Sequence, residues 1–382
     1  MQSSNKKIFK RLALTAFLLT AIGFWSFQSF ANETATDSLT EQTLVTENHA
    51  DAHTSETHEE GKVDAGKLIM EHIADAHDWH IATIGTSHIS IPLPVIIKDA
   101  SGLKVFLSSK FHHGHESFEG YALREGKIVA VDANNEIIEN ADFIDLSITK
   151  NVAAMFIAVF VLCWLMLRVA AHYSKNNNKA PKGINNLIET LILFIRDEIA
   201  KPSIGPKYEK FLPYLLTIFF FIFINNLFGL VPFFPGGANV TGNIAITLVL
   251  AIFTFVITSF SGNKSYWGHI FAPPGVPKPL WILLVPIEII GMLNKPIVLM
   301  IRLFANITAG HIIILGFFSL IFIFGAMNQY MGLGVSVLSV AFTTFMSFLE
   351  LLVAFLQAYV FTLLSSLYFG SAVEEHHHEE HH

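Results

Sequence analysis

The stretch from Leu280 to Phe324 is apolar almost throughout, and at 45 residues it is more than twice the length of about 20 that a perpendicular bilayer crossing needs. Its first half nevertheless carries Glu288, Lys295 and Arg302, each seven residues from the next. On a helix, seven residues complete two turns less about 20°, so all three charges project from nearly one face. A Lys or Arg at the bilayer centre costs roughly 2.5 to 3.5 kcal/mol on insertion scales, so such residues face a bundle interior, a partner or a water path. The Arg302 guanidinium stays protonated at physiological pH and acts only as a fixed positive charge. Burial in low dielectric raises a carboxyl pKa by up to several units, whereas a nearby cation lowers it by about 1 to 3. An acid carried past Arg302 therefore loses its proton near it and regains one away from it. The segment reads as an electrostatic gate in a proton path.

The rest of the chain fits that setting. Charged residues make up 14% of the sequence and apolar ones 52%, against about 25% charged in soluble domains. The fold expected is an all-α polytopic membrane protein with five membrane-inserted helical segments, Val152–Leu167, Phe211–Val231, Ile244–Phe260, Leu280–Phe324 and Val335–Phe369. The last two exceed a perpendicular crossing, so they must tilt strongly, break or lie partly along the bilayer plane. Residues 168–210 contain eight Lys or Arg, and the loop from Ser261 to Pro279 adds Lys264 and Lys278. Neither Pro232–Asn243 nor Ala326–Gly334 contains one. The positive-inside rule then puts the N-terminus outside the cytoplasm and the C-terminus within it.

Lys6, Lys7, Lys10 and Arg11 precede an apolar core from Leu12 to Phe27 and a Ser-Phe-Ala end at residue 31. That is the layout of a signal peptide over residues 1–31, with a first transmembrane anchor as the alternative. Residues 32–78 read as a disordered segment rich in acids and histidines. Alternation over residues 79–145, with turn signals at Asp99–Gly102 and Asn134-Asn135, predicts a small β-rich extracytoplasmic module. The membrane domain follows over residues 146–373, and a cytoplasmic His/Glu tail over 374–382. Ten of the 18 histidines precede residue 116, yet no paired spacing of the zinc type accompanies them, so no metal site is expected. Cys163 is the only cysteine and can form no internal disulfide. No basic surface suggests nucleic acid.

Within the membrane domain a second set of polar residues has helical spacing. Asn306 lies one turn beyond Arg302, whereas His311, nine residues on, is rotated by about 180° and raised roughly 13.5 Å. Arg302 then faces a partner and His311 the protein's own interior. Glu350, on the next span, is a natural partner for His311, and such a pair can relay protons near neutral pH. Gln357 follows Glu350 by seven residues and shares its face. Asn225 and Asn226 must be paired in hydrocarbon; they serve either as interhelical glue or in an outer water path, with glue the better reading for Asn225. Apolar residues from Ile184 to Ile199 recur at three- and four-residue spacing, which predicts an amphipathic interfacial helix. It is either a docking surface or a membrane-parallel strut. Lys295 is expected in a turn before the helix proper, snorkelling to the interface.

Three motifs carry a family resemblance: IRLFANITAGHIII at Ile301–Ile314 with LNKP before it, LQAYVF at Leu356–Phe361, and NNLFGLVP at Asn225–Pro232. Together they resemble subunit a of F-type ATP synthases. The resemblance implies a non-catalytic, proton-translocating stator with two offset half-channels, an obligate hetero-oligomer in a bacterial inner membrane. Its implied partners are a rotor ring of small proteolipids carrying a membrane carboxylate, peripheral-stalk subunits and membrane lipid. It implies that Arg302 separates the half-channels and deprotonates the ring carboxylate, with Gln357 near it. His311, Glu350, Asn306, Glu288 and Asn226 take places on the proton path. His311 and Glu350 stand in the reverse order to some members, and Gly229 replaces an acid found in some bacterial relatives. No cofactor is implied, and no GxxxxGK[ST] pattern provides a nucleotide site. The alternatives are a self-contained secondary transporter or ion channel, which usually shows internal repeats that are missing here, and an intramembrane metallohydrolase, for which no apolar span carries an HExxH pair.

Overall fold

The computed structural model describes residues 75–374, apart from 85–86, 125, 139–140, 176–181, 232–233 and 274. The signal peptide expected over 1–31, most of the polar segment over 32–78 and the tail beyond Glu374 lie outside the described residues. The N-terminal module contains β1 (Asp78–Ile84), β2 (Ser87–Pro92), β3 (Pro94–Asp99), β4 (Gly102–Leu107), β5 (Ser117–Phe118), β6 (Tyr121–Arg124), β7 (Lys127–Ala130) and β8 (Phe143–Asp145). These pair antiparallel as β1-β2, β4-β3-β8 and β5-β6-β7. Alternation places Val95 and Ile97 inward, where they bury with Phe111, Tyr121 and Ile128 in a small core. The β3–β4 turn closes where Asp99 accepts from the Ser101 and Gly102 amides at 2.8 and 3.1 Å, with Gly102 at φ 127°. Hydrogen bonds from Ser101, Lys104 and Tyr121 hold the Asp99 carboxyl well below the usual carboxylate range. Burial and that same Asp99 contact push the Tyr121 phenol up to about 12.

Packed residues lie on the N-terminal side of the boundary expected at residue 79. His77 is buried, with its ring 3.6 Å from Asp145, and Asp75 accepts the Asn151 amide at 3.0 Å. A polar composition concealed this because the partners are distant in sequence: the His77 ring meets the Gly126 carbonyl at 3.1 Å, and Asp75 meets the start of the first helix.

The helical part consists of α1 (Lys150–Lys175), α2 (Ile184–Phe194), α3 (Lys201–Ile204), α4 (Tyr208–Leu230), α5 (Ile244–Ser261), α6 (Lys264–Phe271), α7 (Lys278–Met327) and α8 (Gln329–Val373). Among the described residues, five helical stretches are long and apolar enough to span a membrane. The amphipathic helix expected over 184–199 is α2 continued by a π turn, Ile195–Ala200, into α3. It buries Ile188, Ile195 and Ile199. The apolar α4 is enclosed along Phe211–Ile222, as a helix apolar all round should be, and Phe211 stacks on Phe369 of α8 at 4.8 Å.

At 50 and 45 residues, α7 and α8 extend about 75 and 68 Å at 1.5 Å per residue, far beyond a hydrocarbon core of about 30 Å. Two sequence expectations change here. The turn expected at Asn294-Lys295-Pro296 is helix, with Pro296 buried inside α7, since a membrane helix tolerates proline where neighbours cover the freed carbonyl. The loop expected over Ala326–Gly334 shrinks to Asn328. Its extended backbone ends α7, and its side chain caps α8 by accepting from the Tyr330 amide at 2.8 Å. Similarly, α6 occupies part of the loop expected over Ser261–Pro279, capped by Asn263 on the Tyr266 amide at 2.8 Å.

Candidate functional site

Leu299, Leu303 and Ile307 recur every four residues on α7 and are buried against the bundle. Arg302 and Asn306 stand beside that stripe and are exposed. Among the described residues, no carboxylate is paired with Arg302. A permanent cation is thus presented on an apolar, uncovered helix face, flanked by exposed Ile297 and Ile301.

Nine residues further along, His311 turns the other way. Its Nδ1 lies 3.6 Å from Glu350 Oε1, with the two side chains 19% and 6% exposed. That separation is an ion-pair distance, longer than a direct hydrogen bond, and Glu350 Oε1 has no hydrogen-bond partner among the described residues. Gly310 makes the approach possible, because a Cβ there would come 2.8 Å from the same oxygen. A Cβ at Gly229 would sit 3.4 Å from His311 Nε2. His311 and Glu350 open on a cavity of about 380 Å³ that is also lined by Gly229, Asn239, Thr343 and Ser347.

A second cavity, about 340 Å³, lies toward the other end of α7 and is lined by Glu288, Lys295, Tyr266, His269, Ser371 and Glu374. Lys295 does not snorkel away. Its ammonium lies 5.2 Å from the Tyr368 ring and 5.8 Å from the Tyr266 ring, and two aromatic faces hold a cation inside the protein more firmly than one exposed ring. Arg302 lines neither cavity. It stands about 21 Å along the helix from Glu288 and about 13.5 Å from His311, at 1.5 Å per residue.

The remaining sequence candidates divide. Gln357 is buried on the Glu350 face of α8. Asn226 lines neither of these two cavities: its amide donates to the Ala354 carbonyl at 3.1 Å, and its oxygen accepts from Thr241 at 2.5 Å. It ties α4 to α8 and to the loop after α4. Asn225, read as the glue, instead donates to Phe221 of its own helix at 2.8 Å. The sequence reading missed Thr343, Ser347, His269, Glu374 and Gly310. Thr343, Ser347 and Glu350 follow an i, i+4, i+7 spacing along α8, and that polar stripe was the available signal.

Residues 152–370 match the family model described as ATP synthase A chain, and residues 68–146 match a family described as a domain of unknown function. The chain is 51% identical over 241 residues to "ATP synthase subunit a 2" of Chlorobaculum tepidum, covering 62% of this chain and 65% of that one. It is 49% identical over 243 residues to "ATP synthase subunit a" of Chloroherpeton thalassium, covering 62% and 70%. The match to "ATP synthase subunit a 2" of Chlorobium luteolum is 40% over 321 residues, 82% of this chain and 77% of that one, so it reaches well into the N-terminal module. With the family model covering more than half of the sequence and relatives near 50% identity, the chain belongs to the ATP synthase A chain family, subunit a of the F-type ATP synthases.

Proposed function

We propose that this chain is the proton-conducting stator of a rotary F-type ATP synthase, with each cavity serving as one half-channel and Arg302 as the barrier between them. The observation that carries the reading is the offset: two polar cavities at opposite ends of α7, and between them an exposed guanidinium that belongs to neither. A proton enters by way of His311 and Glu350 and neutralises a carboxylate on a separate rotor ring, for which the uncovered face of α7 and α8 leaves room. After a rotation it is released beside Arg302 toward the cavity of Glu288 and Lys295. Gln357, buried on the Glu350 face of α8, lies near the ring side. Asn306 extends the polar edge next to Arg302. Asn226 acts by position, keeping α8 and the mouth loop in register, and not as a carrier. Each 100 mV of membrane potential contributes about 2.3 kcal/mol per proton to this cycle.

Membership of the family supports a peripheral stalk as the second partner. The charge asymmetry of the loops supports an orientation with the N-terminal module outside the cytoplasm.

The offset is tested by sided labelling of the assembled complex in vesicles, in a Cys163→Ser background. Ser347→Cys is expected to react with a membrane-impermeant thiol reagent from the module face alone, and Met292→Cys, at a residue that lines the Glu288 cavity, from the opposite face alone. Reaction of both from one face would mean a single continuous channel or none. Gly310→Ala is expected to displace the Glu350 carboxylate and lower proton-driven ATP synthesis roughly tenfold or more, with unchanged assembly. Wild-type rates in that variant would show that the carboxylate's position is immaterial.

A further inference from the structure

Trp79 is carried by β1 but does not belong to the module's own core. Its indole is 3% exposed and packs with the buried residues of the helical domain, Ala238 and Val240 among them. The ring meets Phe234 edge to face at 5.1 Å, and the indole N–H donates to the Gly236 carbonyl at 3.1 Å. Those contacts fall on the loop that joins α4 to α5, and that loop is a wall of the cavity containing His311 and Glu350, through Gly237 and Asn239.

The far half of the loop is fixed from within the bundle. Thr241 donates to Asn226, Thr308 donates to the Gly242 carbonyl at 3.3 Å, and Asn243 caps α5 through the Ala245 amide at 3.0 Å. The near half has the Gly237 amide on the Phe228 carbonyl at 3.1 Å, and beyond that the indole. The module is a firm base for this contact. Lys150 donates its amide to the Ala76 carbonyl at 2.8 Å, Ile148 to Pro94 at 2.9 Å, and Asn151 to half-buried Asp75 at 3.0 Å, so β1 is braced on the first helix.

We infer that Trp79 is a positioning residue for the cavity mouth, and that the N-terminal module serves to hold the Phe234–Asn243 loop as a fixed wall of the proton entry path. The proposal rests on the reading of that cavity as an entry path. It gives the module a role tied to the membrane domain, in keeping with a relative whose match extends across both parts.

The test uses the assembled ATP synthase in vesicles, with Trp79→Ala and with Trp79→Phe, which keeps a ring against Phe234 but has no N–H to donate. Two readouts are taken: amide hydrogen exchange of residues 234–243, and the rate of ATP synthesis against proton concentration on the module side. Losing one buried hydrogen bond should speed loop exchange roughly tenfold in Trp79→Phe, with a larger effect in Trp79→Ala. The proton concentration at half-maximal rate should rise severalfold, while the rate at saturating protons is retained in Trp79→Phe. Unchanged loop exchange in Trp79→Phe overturns the proposal, including the case in which Trp79→Ala fails to assemble. Faster exchange with an unaltered proton dependence overturns it as well, since the wall then does not govern entry. Neither result touches the channel reading, which stands or falls on the sided labelling and on Arg302.

Discussion

Replacing Arg302 with alanine is expected to abolish coupled proton transport while the complex still assembles. Arg302 is exposed and makes no ion pair among the described residues, so its removal leaves no buried partner uncompensated and should cost the fold little. The electrostatic role proposed for it has no substitute nearby. A cation shifts a neighbouring carboxyl by about 1 to 3 pKa units, so losing it lowers the ionised fraction of a passing ring carboxyl by about 10- to 1,000-fold. An acid that stays protonated crosses the boundary between the cavities without discharging, and rotation is no longer coupled to net transfer. Lys295 cannot take over, because it is one full heptad away and its ammonium is held between Tyr266 and Tyr368. The measurement is ATP-driven acidification of inverted vesicles, alongside the amount of assembled complex. Normal pumping by Arg302→Ala would remove the basis of the stator assignment, whereas loss of assembly would mean that the guanidinium has a packing role.

How much of this was legible in the sequence follows from what each feature depends on. The five apolar stretches and the β module depend on composition and periodicity, which a chain displays locally. The opposed directions of Arg302 and His311 followed from nine residues of helix. The ends of the long helices were misjudged because one residue, Asn328, reverses the chain by capping, and a lone asparagine in an apolar run gives little warning. Proline likewise misled at Pro296, where packing from neighbouring helices outweighs the local preference for a break. The interhelical tie fell to Asn226 and not to Asn225 because only tertiary contact decides which amide meets Thr241 and the Ala354 carbonyl. Cavity walls were the least legible part. Gly310 matters by lacking a side chain beside Glu350, and His269 and Glu374 meet the Glu288 cavity from α6 and from just beyond α8, elements far apart in sequence. Nothing local singles out Trp79, since its partner lies 157 residues away.

The second large effect concerns the pair His311 and Glu350, and here the informative variant is the exchange of both residues. Each single change places two groups of one kind against each other. His311→Glu sets two carboxyls side by side in an enclosed cavity, where like charges resist joint ionisation, and Glu350→His sets two imidazoles together with the same conflict when protonated. Either should lower ATP-driven pumping by one to two orders of magnitude, roughly the range that coupling energies of about 1.5 to 3 kcal/mol imply for contacting residues. The double variant restores one imidazole and one carboxyl across the same 3.6 Å gap. It should recover a large part of the loss, because the proposed relay requires the complementary pair and not a particular order along the chain. The recovery has a steric condition. The site at position 350 is the more enclosed of the two and rests on Gly310, whose missing Cβ leaves the space the imidazole ring would need; adding Gly310→Ala to the double variant should therefore cancel the rescue. Pumping by the exchanged pair that is no better than that of the weaker single variant would mean that the two side chains are neighbours without a shared proton.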